Sequence, residues 1–246
     1  MLLEPYAPCA TMASVTSQPE RTVRADLLTA ALALLDEHGP EALQTRKIAA
    51  AAGTSTMAVY THFGGMPQLI AAITDEGLRQ FDVALTLPAT DDPVADLLAT
   101  GIVYRRFARD RPHLYRLMFG STSAHGINAP AHNMLAFGTA EIDAAVPSFA
   151  HLVRGVHRSI QAGRLRVVPN ASAEQTDAAV VAAAAQFWTV MHGFMMLELA
   201  GYFGGADDEV HAATQVLSPM TISLLVALGD TPERAAQSLA AARHQG

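Results

Sequence analysis

Nine residues in two short runs offer the clearest chemistry in this sequence. Thr45, Arg46 and Lys47 form the first run, and Ser55, Thr56, Met57, Tyr60, Thr61 and His62 the second. None is acidic. The guanidinium of Arg46 is a planar fork that matches O6 and N7 of guanine or the oxygens of a phosphate. Thr56 and Met57 suit base edges, the thioether of Met57 a thymine methyl, while Tyr60, Thr61 and His62 carry donors for phosphate oxygens. From Ala42 to Thr74 there is no Asp or Glu, and Lys47 is the only lysine of the chain, so the positive footprint is local. The plainer readings are a solvated Arg46, a packing Tyr60 and a capping His62.

These side chains need two short helices to hold them. Ile48, Ala49 and Ala52 share one face of the first, and Gly53 follows where a residue of positive φ ends a helix. Thr54 and Ser55 are placed to cap the second, on which Ala58, Val59 and Phe63 point inward. A second helix across a short glycine turn is the element that lies in a DNA major groove. Ahead of the pair, Val23, Leu27, Ala30, Ala31, Leu34 and Leu35 recur at helical spacing from Thr22 to His38, and Gly39-Pro40 ends the run. Behind it, Gly64-Gly65 turns the chain and Met66-Pro67 opens a helix toward Leu85; a missing N–H costs nothing in a first turn.

From about Arg21 to Leu85 the chain strongly resembles the DNA-binding domain of the tetracycline-repressor (TetR) family. The specific pieces are Thr45-Arg46-Lys47-Ile48-Ala49, Ala52-Gly53, Val59-Tyr60-Thr61-His62-Phe63 and the pair Leu69-Ile70. The resemblance implies a three-helix domain and a dimer whose recognition helices enter successive major grooves of a pseudo-palindromic operator. In that family a lysine that contacts a phosphate commonly stands where Met66 is here. Ser or Thr usually caps the second helix where Gln44 stands, so Thr45 is the expected cap.

Composition bounds the reading. With 246 residues, half of them apolar, the chain can bury a large core, and no strand-like alternation runs far, so an all-α fold is expected. The net charge of −7 argues against general coating of nucleic acid. Residues 21–85 hold five cations against seven acids, so affinity must come from placement and from two copies acting together. A single cysteine, Cys9, excludes an internal disulfide framework and a multi-thiolate metal site within one chain, which fits a reducing cytoplasm. Residues 1–20 show no signal-peptide pattern and, with Pro5, Pro8 and Pro19, read as a disordered arm in which Met12 is an alternative start.

Pro88 to Pro93 is a polar break and the expected boundary between a DNA-binding domain (21–87) and a helical ligand-binding and dimerisation domain (88–246). Helices are expected over Val94–Arg109 and Pro112–Phe119, a loop over Gly120–Pro130, and a long helical region over Ala131–Ala162, interrupted near Pro147 and stopped by Gly163. Ser172 to Phe203 is the most apolar segment. Its uncharged stretch from Ala178 to Leu197 is long enough to span a bilayer, but Gln186, Thr189 and His192 lie inside and the flanks Asp177 and Glu198 are acidic, so a buried helix is expected and no membrane. The last expected helix, Asp208–Leu228, contains Pro219 and should bend or restart there.

Phe187-Trp188 through His192-Gly193 to Gly201, together with Arg111-Pro112-His113-Leu114-Tyr115-Arg116-Leu117-Met118-Phe119, resembles the C-terminal domain of the TetR subgroup named for a Trp-His-Gly signature, with the tryptophan here at Trp188 and Met191 in the place just before His192-Gly193. By that resemblance the last two long helices form a four-helix bundle with a second chain, for which Ala179, Ala182, Ala183, Gly193 and Ala212 are small enough, though they suit an intrachain core equally. Tyr104, Phe107, Tyr115, Met118, Phe119, Trp188, His192 and Met195 are the candidates for lining a pocket, and plain core is their other reading. Arg105, Arg106, Arg109, Arg111 and Arg116 read as a solvated basic face near a helix C-terminus rather than as a site for an acidic ligand or DNA. His192 and Glu198 are six apart and cannot share a metal, so His192 reads as a buried hydrogen-bonding histidine.

The expectation is a cytoplasmic homodimeric regulator, a repressor released from operator DNA by a small apolar ligand, with no cofactor. Two rivals stand beside it. An enzyme lacks a nucleophile–base pair, metal-ligand spacing and a phosphate loop here. An interaction module would dimerise without an inducer.

Overall fold

The computed structural model describes residues 22–120, 122–124, 126, 133–166, 173–204 and 209–245, and their regular elements are helices. The expected N-terminal arm with Cys9 and Met12 lies outside them, as do much of the loop at 120–130 and the expected helix starts at Ala131, Ser172 and Asp208.

Helix α1 (Val23–His38) begins at Thr22, whose side chain accepts from the Ala25 N–H at 3.3 Å, and it buries Leu27, Ala31 and Leu35 along one stripe. Helix α2 (Thr45–Ala51) ends as expected: Gly53 has φ +65, its N–H reaches the Ala50 carbonyl, and the Thr54 N–H reaches Ala49. That double closure satisfies the last carbonyls and needs a residue without a Cβ penalty. Helix α3 (Thr56–Phe63) then buries Val59 and Phe63. Two capping expectations are corrected. Gln44, not Thr45, is the N-cap of α2, and Thr45 is its first helical residue. Ser55 occupies the N-cap of α3 with extended backbone, but its side chain bonds no N–H.

Helix α4 (Met66–Leu85) follows and spans about 30 Å at the usual rise per residue. Helix α5 (Pro93–Asp110) is capped by Asp92, which accepts from Val94 and Ala95, and α6 (Pro112–Met118) turns off its end. The expected helical run from Ala131 is replaced by a 3₁₀ turn at Met134–Ala136, then α7 (Thr139–Ala145) and α8 (Pro147–Gln161); Gly163, φ +67, closes the last. Helix α9 (Ala173–Leu199) leads to α10 (Glu209–Ala212), a π turn (Ala213–Leu217) and α11 (Ser218–Ala227). The widened turn sits directly before Pro219, where a proline ring would press on the carbonyl four residues back, and it lets the helix continue rather than restart. Helix α12 (Pro232–Ala242), capped by Thr231, was not expected, although Thr-Pro-Glu followed by apolar residues is a helix-start pattern. The buried Arg164–Asp230 ion pair, with Ser238 bonded to both Arg164 and Asp92, pins α12 beside the start of α5.

The apolar interior divides along α5 rather than at the polar break. One cluster joins α1–α4 to the later part of α5, to α6 and to the second half of α9. The other joins the first part of α5 to α8, α11, α12 and the first half of α9. Helix α9 is not the buried helix expected: its apolar stretch is 39% buried, and Gln186, Thr189, Gly193, Leu197 and Ala200 form an exposed stripe. Helix α9 and the span Val210–Ala227 are both long and apolar enough to cross a membrane by length and composition.

Candidate functional site

Burial of Ile48, Ala49, Val59 and Phe63 against α1 and α4 fixes which sides of α2 and α3 face out. On those sides Arg46, Lys47, Ser55, Thr56, Met57, Tyr60, Thr61 and His62 are exposed, and Thr45 is half-buried. Met57 and Tyr60 are 68% and 56% exposed, so Tyr60 is not a packing residue. The Thr61 hydroxyl donates to the Met57 carbonyl at 3.0 Å, and the Arg24 guanidinium lies 4.8 Å above the Phe63 ring, tying α1 to the back of α3. Met66, where the resemblance places a lysine, is partly buried against the core.

Beyond α4 lies a cavity of about 1190 Å³, walled by α4, α5, α8, α9 and the α10–α11 span. Of the eight pocket candidates, Tyr104, Met118, Phe119 and Trp188 line it; Phe107, Tyr115, His192 and Met195 do not. The wall also holds residues sequence reasoning left out, among them Phe81, Leu97, Leu98 and Phe149, which carry no signal beyond helical apolar spacing.

Tyr115 and His192 stand behind the wall, in a hydrogen-bonded chain. The Trp188 indole, a donor only, gives its N–H to the Tyr104 hydroxyl at 3.3 Å. The Tyr104 and Tyr115 hydroxyls share a hydrogen bond at 2.8 Å, and both face Nδ1 of His192, Tyr115 at 2.6 Å and Tyr104 at 3.4 Å. Burial pushes the His192 pKa below its ordinary value and raises both phenols above theirs, so every member holds its neutral form. Phe119 packs into this group, 4.9 Å from the Tyr115 ring and 5.2 Å from that of His192.

The basic cluster is a solvated face only in part: Arg106 is exposed, and Arg105, Arg109, Arg111 and Arg116 are half-buried. Arg105 makes a two-bonded pair with Glu198, side chains 17% and 10% exposed; Arg116 donates to the Leu199 carbonyl; and Arg105, Arg106 and Arg109 line the cavity. Periodicity had placed them on a helix but could not say which face met solvent. Arg111 leaves the cavity altogether and bonds Asp36 of α1 and Gln80 of α4. His113, next on α6, lies against Gly39, where an added Cβ would sit 3.2 Å from its ring.

Two segments therefore touch both regions. Helix α4 buries Leu69, Ile70 and Ile73 behind the helix-turn-helix and lends Leu78, Phe81 and Leu85 to the cavity. The α6 segment holds α1 and α4 through Arg111 and His113, and reaches the cavity through Met118 and Phe119. The two helices approach so closely that a Cβ on Gly77 would meet Leu114 at 2.8 Å. No group of His, Cys, Asp and Glu among the described residues is placed to hold a metal.

Comparison with known proteins agrees with both regions. Residues 27–73 match the family model described as bacterial regulatory proteins, tetR family, and residues 97–218 match the tetracyclin repressor-like, C-terminal domain. An uncharacterized HTH-type transcriptional regulator of Mycobacterium tuberculosis, Rv0681, is 24% identical over 208 residues, covering 82% of this chain and 81% of that protein. Among solved structures, a protein of unknown function from Rhodococcus sp. RHA1 superposes with a TM-score of 0.62 at 23% identity, over 87% of this chain and all of that one. RolR, solved in complex with resorcinol, gives a TM-score of 0.56 at 17% identity over 89% and 92% of the two chains.

Proposed function

This chain belongs to the tetracycline-repressor family of DNA-binding transcriptional regulators, which are not enzymes, and from that premise we propose a homodimeric repressor released from its operator by a small, largely apolar molecule. Residues 21–87 read the DNA, and residues 88–246 bind the ligand and the second copy, in the cytoplasm. Support for the Trp-His-Gly subgroup is limited to His192-Gly193 and a tryptophan displaced to Trp188, since Met191 stands directly before His192.

The observation that carries the reading is the double use of α4, which braces the recognition helix at one end and walls the cavity at the other. A ligand that pushes on Phe81 acts on the same rigid element that sets the position of α3, and one that pushes on Phe119 reaches it through the Phe81 ring, 6.0 Å away. Its leverage is its preference for the DNA-incompetent arrangement, commonly about 1–3 kcal/mol. The aromatic wall suits a small ring compound of the kind RolR was solved with. On the DNA side, Thr56 and Met57 read bases, Arg46 bonds guanine or phosphate, and Thr45, Lys47, Ser55, Tyr60, Thr61 and His62 position the backbone.

The exposed stripe on α9, with Met220 and Val226 of α11, supports the dimer. Gly193 has nothing within 4 Å of an added Cβ and is open to a partner, whereas Ala183 and Ala212 are buried within the chain and belong to its own core. Titration against DNA fragments from beside its own gene, at two salt concentrations, tests the reading. Tight, fragment-selective binding with a shallow salt slope is the expected result. Weak binding to every fragment alike would overturn it and favour an interaction module.

A further inference from the structure

We propose that the inducer cavity is completed by the second copy of the chain: the partner covers an opening between α9 and the α10–α11 span, so that the ligand is held by the dimer and not by the single chain. This rests on the reading of the protein as an inducer-binding homodimer, and it adds that the two binding events are linked.

The lining residues mark where the cavity is open. Phe81, Leu97, Tyr104 and Phe149 give it a buried floor. Toward α9 and the α10–α11 span the lining is uncovered: Val210 is 79% exposed, and Thr189 and Thr214 are exposed as well. Thr189 belongs at the same time to the bare stripe of α9, one turn before Gly193. The opening and the bare helix face therefore meet at one residue. Arg106, Leu135 and Arg243 are exposed lining residues on elements that carry no part of that stripe, and they leave the ligand a way in.

The α10–α11 span serves two sides. Val210, Ala213, Thr214, Leu217 and Thr221 recur at helical spacing and line the cavity, while Met220, Ser223, Val226 and Ala227 are exposed. Its apolar stretch Val210–Ala227 is only 17% buried within the chain. So much uncovered apolar surface marks a contact face.

Charge selects the cover. Each copy carries a net −7, so two copies repel wherever acidic surfaces meet. From Val210 to Leu228 there is no Asp, Glu, Lys or Arg, and the stripe of Gln186, Thr189, Gly193, Leu197 and Ala200 is equally uncharged. A two-fold axis can set this patch against itself without stranding a charge. A nucleic acid or a charged peptide would find nothing here to pair with. With the partner seated over Thr189, Val210 and Thr214, a bound ligand exchanges water for protein at that opening, and ligand and dimer stabilise each other by the same factor.

The test uses the full-length protein. Gly193→Glu and, on the other helix, Val226→Glu break the contact without altering the lining, to which neither residue belongs. Sedimentation reports the oligomer and circular dichroism the fold. The uncharged aromatic probe N-phenyl-1-naphthylamine reports the cavity, as does acrylamide quenching of Trp188, the only tryptophan and a lining residue. Both variants are expected to be folded monomers that bind the probe about tenfold more weakly or worse than the unaltered dimer, with Trp188 quenched more readily. Saturating probe should in turn tighten the unaltered dimer about tenfold or more. Should either variant fail to fold, the unaltered protein diluted through its own dissociation gives the same comparison. Folded monomers whose probe affinity stays within about threefold, with unchanged quenching, overturn the shared cavity and leave the dimer and the inducer site standing. Variants that remain dimers place the interface elsewhere, and an unaltered chain that is monomeric and floats with phosphatidylcholine vesicles gives the face to a membrane; either overturns the dimer surface and this proposal together. An unaltered dimer that takes up no probe overturns the cavity as an inducer site, and this proposal with it.

Discussion

Arg111 reaches from the start of α6 to Asp36 near the end of α1, its Nε 3.0 Å from one carboxylate oxygen, while the same guanidinium bonds Gln80 of α4. One side chain thus fastens the cavity segment to the first and fourth helices of the DNA-binding region. The pair is part-exposed, so its worth to stability is small, roughly 1 kcal/mol or less. Its worth to coupling is expected to be larger. Arg111→Gln should leave operator affinity within about threefold of the original and cut the effect of inducer on that affinity about fivefold or more. Gel-shift titrations with and without inducer check this; undiminished coupling would mean that α4 alone carries the signal.

Arg46→Ala combined with Tyr60→Phe should weaken operator binding about tenfold or more, since both side chains are exposed and neither supports the core. Circular dichroism and gel filtration should show the same folded oligomer. Unchanged affinity would remove both residues from the DNA interface.

Gly193→Glu places a charge on the exposed stripe of α9 where a Cβ meets nothing within 4 Å. The single chain should fold, but a buried, unpaired carboxylate at a chain–chain contact costs several kcal/mol. Sedimentation is expected to show a monomer that has lost operator binding. A dimer of normal stability would put the interface elsewhere.

Stability should respond to the protonation of His192. Burial holds its folded pKa below the ordinary 6.5, so the unfolded chain takes up the proton first. The contribution of the neutral imidazole is complete above about pH 6.5 and is lost as pH falls from there through the folded value, with a slope of at most about 1.4 kcal/mol per pH unit. Protonation also makes both ring nitrogens donors, so the bond between Nδ1 and Tyr115 is kept only with Tyr115 accepting. His192→Gln keeps an acceptor for Tyr115 and removes the titration. Urea unfolding near pH 7.5 and near pH 5.5 is expected to show a smaller drop in the variant; equal drops would place the titrating group elsewhere.

Much of the DNA-binding region was legible because its signals are local. Gly53 marks a turn only a residue of positive φ closes well, and Ile48, Val59 and Phe63 repeat at helical spacing. The capping of α2 and α3 was misjudged because a cap depends on where the first helical φ and ψ fall, and Ser55 kept the backbone geometry without the side-chain bond. Helix α12 was overlooked although Thr231-Pro232-Glu233 announces it, because its apolar positions are mostly small alanines. The cavity was half legible: aromatic residues at helical spacing declare that they are buried, not whether an empty volume lies on one side of them.

The sequence by itself determined the all-helical class, the helix-turn-helix and the outward direction of its polar residues, since a stripe of buried side chains fixes the opposite face of a short helix. Only the tertiary structure decided which aromatic residues bound a cavity, that Arg105 meets Glu198 ninety-three residues later, and that Arg111 turns away toward Asp36. Those are pairings between helices far apart in the chain. Their partners are chosen by how the helices cross, which no local spacing records.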